Sequence, residues 1–382
     1  MRITIVSRFI GAGLNPALFI LACVLVLLTL NSCRDDAEPK TLTILGWDEY
    51  IPAETLERFT KTTGIEFDYQ AFANMDDAVG RVTSEPDRYD VILTDMNIAG
   101  QLRQRQLLGD LDHRQLSNLG NLGQTYTDIL SDPDYSFSAP YLMGNTVLIY
   151  NTKLVENPEP SWSLLWNRDA IGDGQVWMLR EPQEVLSVAL LALGHDMNTT
   201  EPAEFEAARD LLFKQLDSVE VVYGSELEIA DALVEGRCAA AMLYNSNASL
   251  AMEENEDLKT VLPREGVALF NDVFLVSRES LQRAAAHAFI DFMLSAEAAV
   301  ECAEYNWCAT PNERAAESLD PELLADEIAF PPAELLAKCA FRDSRKSDRM
   351  RLIGVNFKAI MDRYREKPAV AATPTAEAEA DQ

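Results

Sequence analysis

Acidic and aromatic side chains collect at the ends of predicted strands, and together they could hold a positively charged ligand. The first group is Trp47-Asp48-Glu49-Tyr50, which follows the apolar run Leu42–Leu45. Burying an unpaired ammonium costs several kcal/mol, and carboxylates can replace the lost water. Aromatic faces add roughly 0.5–2 kcal/mol each by cation–π attraction. Four later groups share this character: Asp95 with Asn97, Glu181 with Glu184, Tyr244 to Asn247, and Phe270 with Asp272.

Each group also has a purely structural interpretation. Most aromatic residues pack into cores, so Trp47 and Tyr50 could simply close a local turn. An acid just before or within the first turn of a helix caps it or interacts with its dipole. Glu181 and Glu184 flank a predicted helix start and are open to this interpretation.

The elements around these groups predict an α/β fold. Thr41–Leu45, Ile65–Tyr69 and Tyr89–Thr94 have the composition of strands, and helices are expected between and after them, including one from Pro52 to Gly64. This βαβαβ order predicts a parallel sheet with helices on both faces. In such sheets ligands bind outside the carboxyl ends of the strands, which is where the acids fall.

A second βα series predicts a second domain. Strands are expected at Gln175–Leu179, Glu220–Val222 and Cys238–Leu243, with helices between them, after a strand over Thr146–Tyr150 that enters this unit. A further strand is expected over Asp272–Val276, then one long helical region from Leu281 to Glu304 and a final helix from about 348 to 364. The length of 382 residues also fits two domains.

The N-terminus is expected to be an export signal and not part of the fold. Arg2 and Arg8 precede the apolar segment Ala17–Leu30, and Leu30-Asn31-Ser32-Cys33 has the form of a bacterial lipobox. Residues 1–33 would then be the signal region ending in a lipidated Cys33, and residues 34–40 a linker. A short uncleaved anchor is the alternative. Either way the chain is expected to be extracytoplasmic, in the periplasm, and held at the membrane.

Composition restricts the partners. The net charge of −30 argues against nucleic acid, and the 48% hydrophobic content with 25% charged residues is typical of a soluble globular chain. Cys238, Cys302, Cys308 and Cys339 would permit two disulfides in any of three pairings. Three histidines and no Cys-x-x-Cys do not favour a metal site, and we expect no cofactor. Residues 366–382 are expected to form a disordered acidic tail.

The chain resembles the spermidine/putrescine-binding periplasmic proteins of ABC transporters. The resemblance extends from about Thr41 to Arg365. It rests on short motifs in a shared order: Trp47-Asp-Glu-Tyr-Ile-Pro52, Phe59-Thr-Lys-Thr-Thr-Gly-Ile65, Tyr89-Asp-Val-Ile-Leu, Ala139-Pro-Tyr141, Glu184-Val-Leu, Pro263-Arg-Glu-Gly266, Phe270 to Phe274, and Thr310-Pro-Asn312.

The resemblance implies a two-lobed type II periplasmic binding protein with a ligand cleft between its lobes. Lobe 1 would comprise residues 41–146 and 271–313, and lobe 2 residues 147–270 and 314–365. The protein would be a monomer that closes on a polyamine by hinge motion and delivers it to an ABC permease. Asp272 would pair with an amine deep in the cleft. The implied ligand-binding residues are Trp47, Asp48, Tyr50, Asp95, Asn97, Glu181, Glu184, Tyr244, Asn247, Phe270, Asp272 and Cys308.

Three positions depart from the family pattern. Asn247 stands where putrescine-type members have an acid, Cys308 stands where the family has a tyrosine, and Arg342 falls near a position for a polar residue. Arg180 adds a second cation beside the Glu181 and Glu184 pair. For Arg180 and Arg342 a surface salt bridge is preferred over ligand contact. A less charged amine, a different small solute and a tethered amine sensor therefore stay open, whereas the chain carries none of the common catalytic motifs of an enzyme.

Overall fold

The computed structural model describes residues 41–72, 74–123, 132–343 and 347–367. The predicted signal region 1–33 with Cys33, the linker 34–40 and the tail beyond 367 lie outside the described residues. Glu366, the first residue of the predicted tail, closes the last helix. Within the described ranges, no helix combines the length and the apolar character needed to cross a bilayer.

The first half of the described chain alternates short strands and helices. Its elements are β1 (Leu42–Gly46), α1 (Ala53–Thr63), β2 (Phe67–Ala71), α2 (Met75–Ser84), β3 (Val91–Asp95), α3 (Met96–Gln104), β4 (Ser138–Asn151), α4 (Arg168–Ile171), β5 (Gln175–Leu179) and α5 (Pro182–Ala192). Three 3₁₀ turns cover His113–Gln115, Ser117–Asn121 and Trp162–Trp166.

The second half continues this alternation and then becomes mostly helical. Its elements are α6 (Pro202–Ser218), β6 (Glu220–Gly224), α7 (Glu226–Val234), β7 (Cys238–Tyr244), α8 (Asn245–Glu254), β8 (Leu258–Val261), β9 (Ala268–Val276), α9 (Arg283–Met293), α10 (Ala296–Asn306), α11 (Glu313–Ala316), α12 (Pro321–Ala325), α13 (Ala333–Leu336), β10 (Ala340–Phe341) and α14 (Ser347–Glu366).

Local sequence accounts for the limits of these elements. Helix α1 follows Pro52, buries Leu56 and Phe59, and ends at Gly64, whose φ of 70° is the left-handed conformation that glycine tolerates. The predicted helical region over 281–304 consists of two helices, α9 and α10, because Ser295 interrupts it. The Ser295 side chain accepts a hydrogen bond from Ala298 N and thereby starts α10 as a separate helix.

One sheet order runs through the molecule: β2-β1-β3-β9-β4-β7-β5-β6, with β10 beside β9 and β8 beside β4. Strand β1 is parallel to β2 and β3, and β5 is parallel to β6 and β7. Strands β4 and β9 are antiparallel to each other and join the two parallel groups. The first part of β4 pairs with β9 and its second part, from Thr146, pairs with β7.

The apolar side chains form separate cores on either side of these joining strands. One core draws on residues 147–268 and on Leu352 to Met361 of α14. Two further clusters cover the two faces of the β2-β1-β3-β9 group and draw on residues between Leu42 and Ala329. The predicted lobe limits stay a prediction. Leu319 and Leu323, which fall in the predicted lobe 2, pack in a cluster with Leu42 and Val91 of the predicted lobe 1.

Candidate ligand cleft

Two of the predicted acids lie opposite each other on neighbouring strands. Asp95 ends β3 and Asp272 lies in β9, and their Cα atoms are directly paired in the antiparallel ladder. Both are buried, with 2% and 5% exposure. Directly opposed residues present their side chains on the same face, so two carboxylates here repel each other unless a proton or a cation intervenes.

Tyr50 provides a partner for one of these carboxylates. Its hydroxyl donates to Asp272 Oδ2 at 2.7 Å. The ring packs edge-on against Tyr141 with centroids 5.4 Å apart, and the Tyr141 hydroxyl donates to the Tyr50 carbonyl at 2.8 Å. Of the two aromatic residues in the turn that begins at Trp47, Tyr50 therefore contacts the Asp95 and Asp272 pair.

The third acid, Glu184, arrives from the other parallel group. It lies in the first turn of α5, which begins at Pro182, and its side chain is completely buried. Thr146 Oγ1 donates to Glu184 Oε2 at 2.8 Å. A capping role alone does not explain this residue, because its carboxylate faces β4 and a buried cation.

That cation is Arg342, and the predicted surface salt bridge is wrong for it. Its side chain is only 2% exposed, Nη2 donates to Asp95 Oδ2 at 3.1 Å, and Nη1 forms an ion pair with Glu184 Oε1. Burial disfavours the guanidinium charge, but Glu184 and Asp95 outweigh it and raise the pKa of Arg342 further. Arg180, by contrast, is exposed and donates to the Tyr223 carbonyl.

Two aromatic rings line the same region. Tyr244, at the end of β7, and Phe270, two residues before Asp272, pack edge-on with centroids 5.5 Å apart. Burial and then the nearby Glu184 carboxylate raise the pKa of Tyr244. Gly144 makes room for this pair, since a Cβ at that position would collide with the Phe270 ring and the Asn245 side chain.

The other predicted residues lie at different distances from this cluster. Cys308 is completely buried and accepts from Asn245 Nδ2 at 3.5 Å; burial raises the pKa of its thiol to about 12. Asn97 is buried in α3, where its N–H donates to Asp95 Oδ1. Asn247 is half-buried in the first turn of α8.

Trp47 and Asp48 are turned differently from Tyr50. Trp47 packs against Phe72 with centroids 4.3 Å apart, and its carbonyl accepts from Tyr69. Asp48 is exposed. That Trp47 and Asp48 contact the ligand stays a prediction.

Burial changes the proton affinity of two acids. It raises the pKa of Asp272 to about 7; the Asp95 carboxylate adds to this, and the Tyr50 hydrogen bond opposes it. Burial and the Glu184 carboxylate raise the pKa of Glu181 to about 7. Near pH 7 both carboxyls are therefore partly protonated, and a cation that pairs with them competes with a proton.

A cation that pairs with these carboxylates should consequently bind more weakly as the pH falls. Below about pH 7 an incoming ammonium must displace the proton of Asp272, so we expect the dissociation constant to rise about tenfold between pH 8 and pH 6. Calorimetry in two buffers of different ionisation enthalpy would measure the released protons. A Glu181→Gln variant removes the contribution of Glu181, so that the remaining pH dependence comes from Asp272. A dissociation constant that does not change between pH 8 and pH 6 would contradict the assignment of Asp272 to the cation site.

The remaining chemistry of the described residues is limited. All four described cysteines are free thiols, so neither of the two permitted disulfides is present. Within the described part of the chain, no three His, Cys, Asp or Glu side chains are grouped to hold a metal ion. Three further residues position the cleft residues through hydrogen bonds and were not predicted as site residues: Tyr141, Asn245 and Thr146. Tyr141 lies in a family motif and Asn245 in the group Tyr244 to Asn247, but single-sequence patterns do not distinguish such residues from core residues.

The fold and this cluster define a two-lobed solute-binding protein with its ligand cleft between the lobes. Residues 54–332, more than half of the chain, match the family of bacterial extracellular solute-binding proteins, and the chain belongs to that family. This is a family of binding proteins for transport, not of enzymes.

Individual relatives agree with this placement. The spermidine/putrescine-binding periplasmic protein of Salmonella typhimurium is 29% identical over 309 residues, covering 80% of this chain and 88% of that protein. The protein of the same description from Escherichia coli is 28% identical, with 83% and 90% covered. The structure is similar to the spermidine/putrescine substrate-binding protein PotD of Streptococcus pneumoniae, with a TM-score of 0.76, 26% identity, and 85% and 99% covered.

Proposed function

We propose that this chain is the extracytoplasmic binding protein of an ABC transporter and that it takes a polyamine or a related amine. The observation that supports this most is the buried Asp272 carboxyl, which lies where the two parallel groups of strands meet and is bonded to the neutral Tyr50 hydroxyl, whereas the neighbouring Asp95 and Glu184 pair with Arg342. Buried carboxylates are costly unless cations pair with them. The relatives whose names describe spermidine and putrescine binding support the same class of ligand.

The chemistry of the cleft suits an aliphatic amine. The ammonium would exchange its water for the Asp272 carboxylate, which also holds Tyr50 at 2.7 Å. The rings of Tyr50, Tyr244 and Phe270 would cover the methylene chain and add cation–π attraction.

Closure about a hinge would enclose the ligand. Strands β4 and β9 are the two connections through the sheet, so bending there would open the space between Asp95 and Glu184. Ligand contacts from both sides would favour the closed state, which a permease in the inner membrane would read. We propose that the protein works as a monomer.

A thermal-shift screen of the purified protein tests this function. Putrescine, spermidine and monoamines should raise the melting temperature by mass action, since they bind only the folded state. Glucose and glutamate serve as neutral and anionic controls. A melting temperature unchanged by every amine at millimolar concentration would overturn the proposal.

We also propose that Cys33 carries a lipid. Its place after Leu30-Asn31-Ser32, behind an apolar segment, supports this. Cells grown with a labelled fatty acid should label the wild-type chain and the control Cys23→Ala, but not Cys33→Ala. Label that persists on Cys33→Ala would rule this site out.

A further inference from the structure

Arg342 holds together acids from the two sides of the cleft. Asp95 ends β3, Glu184 begins α5, and the Arg342 guanidinium reaches both, with Nη2 at 3.1 Å from Asp95 Oδ2. Asp95 and Arg342 side chains are 3% and 2% exposed, and that of Glu184 is 0% exposed. The guanidinium thus stands between carboxylates that would otherwise be available to a ligand cation.

The backbone around Arg342 is fixed on both sides. Phe341 pairs with Leu269 in the β10–β9 ladder, which places Arg342 one residue beyond a strand pair. The Asn198 side chain donates from Nδ2 to the Phe341 carbonyl at 2.8 Å and accepts from Asp343 N at 2.9 Å. Because the backbone on both sides is fixed, the Arg342 side chain is a constant part of the cleft wall.

Only some of the carboxylates in the cleft already have a cationic partner. Of the three buried carboxylates, Asp95 and Glu184 pair with Arg342, and Asp272 is bonded to the neutral Tyr50 hydroxyl. The next acids outward are Glu181, Glu226 and Asp76; after burial and Glu184, the carboxylates of Glu226 and Asp76 contribute to the raised pKa of Glu181. The next cation is Arg349, whose guanidinium is turned to the Met197 and Asp343 carbonyls and the Gln183 side chain. Asp272 is therefore the carboxylate left to pair with a ligand ammonium, and a second ammonium near Asp95 and Glu184 would meet a guanidinium.

We propose that Arg342 is a resident cation that takes the place of one ligand ammonium, so that the cleft selects amines with a single ammonium and an uncharged acceptor at the other end. N-acylated diamines are such compounds. Arg342 Nε is buried and has no hydrogen-bond partner in the part of the chain that the structure describes. An acyl oxygen can accept from this N–H, whereas an ammonium has no lone pair to offer. This inference rests on the proposed amine-binding function.

Calorimetry with putrescine, spermidine and N-acetylputrescine tests the proposal on the wild-type protein. N-acetylputrescine should bind at least tenfold more tightly than putrescine or spermidine. Arg342→Gln should reverse this order, because it frees Asp95 and Glu184 for a second ammonium. Arg342→Lys keeps the charge but lacks the Nε–H, so putrescine and spermidine should still bind weakly while the advantage of N-acetylputrescine shrinks. The control Arg180→Gln, which removes an exposed cation, should keep the wild-type order.

The outcomes separate the possible failures. Wild-type protein that binds putrescine or spermidine more tightly than N-acetylputrescine overturns the resident-cation proposal, and so does an Arg342→Gln variant with the wild-type order. Wild-type protein that binds none of the amines overturns the proposed function instead. If Arg342→Gln does not fold, the order of affinities in the wild-type protein alone decides the proposal. The double variant Asp95→Asn with Arg342→Gln, which removes one charge of each sign, then replaces the single variant.

Discussion

Asp272→Asn should weaken amine binding at least thirtyfold. The substitution keeps the shape of the side chain and its partnership with Tyr50, whose hydroxyl lies 2.7 Å from Asp272 Oδ2. It removes the carboxylate that would face the ligand ammonium, and a buried charge left without its partner costs about 2 kcal/mol or more. Calorimetry with the tightest-binding amine measures the change.

A matched control shows whether the effect is local. Glu54→Gln removes the same charge from an exposed position in the first turn of α1 and should leave the dissociation constant within twofold of the wild-type value. The Asn variant should not melt below the wild type without ligand, because Asp272 is disfavoured as a carboxylate by burial and by Asp95. An unchanged affinity of Asp272→Asn for the amine would contradict the assignment of Asp272 as the ammonium site.

Glu184→Gln should destabilise the folded protein by about 3 kcal/mol. The Glu184 side chain is completely buried and pairs with Arg342, so its removal leaves a buried guanidinium with Asp95 as its remaining carboxylate partner. Breaking a buried ion pair on one side is strongly destabilising because the other charge stays desolvated. Calorimetric melting should show a fall of roughly 4–5 °C, because a chain of this size has a large entropy of unfolding.

The double variant distinguishes pairing from packing. Glu184→Gln with Arg342→Gln removes both charges and should recover part of the loss, which a double-mutant cycle would report as coupling. Glu206→Gln, an exposed acid on α6, should change the melting temperature little. A Glu184→Gln variant that melts within 2 °C of the wild type would show that the ion pair does not stabilise the folded state.

The alternating strands and helices were predictable from local pattern, and the helix break at Ser295 was not. Buried apolar runs such as β3 and amphipathic helices such as α1 depend on neighbours in sequence, which a periodicity reveals. Ser295 is a single polar residue in a long helical pattern, and its capping role appears only with the hydrogen bond from Ala298. The pairing of β4 with β9 brings together residues far apart in the chain and follows from tertiary packing.

The cleft was predictable as a set of strand ends but not as a charge arrangement. Asp95 and Glu184 follow from the rule that ligand groups sit at carboxyl ends of strands. Asp272 lies inside β9 and was expected from the family resemblance, and the structure brings it together with the other two acids. Arg342 lies in no motif, and a lone arginine is usually a surface residue. Its burial depends on the β10–β9 pairing and on Asn198, which are contacts that no local pattern encodes.

A crystal structure of the protein with its tightest-binding amine tests the central claim most directly. The ligand ammonium nitrogen should lie about 2.7–2.9 Å from an Asp272 carboxylate oxygen, with Arg342 still paired to Asp95 and Glu184. An amine bound away from Asp272, or outside the space between the two groups of strands, would contradict this account.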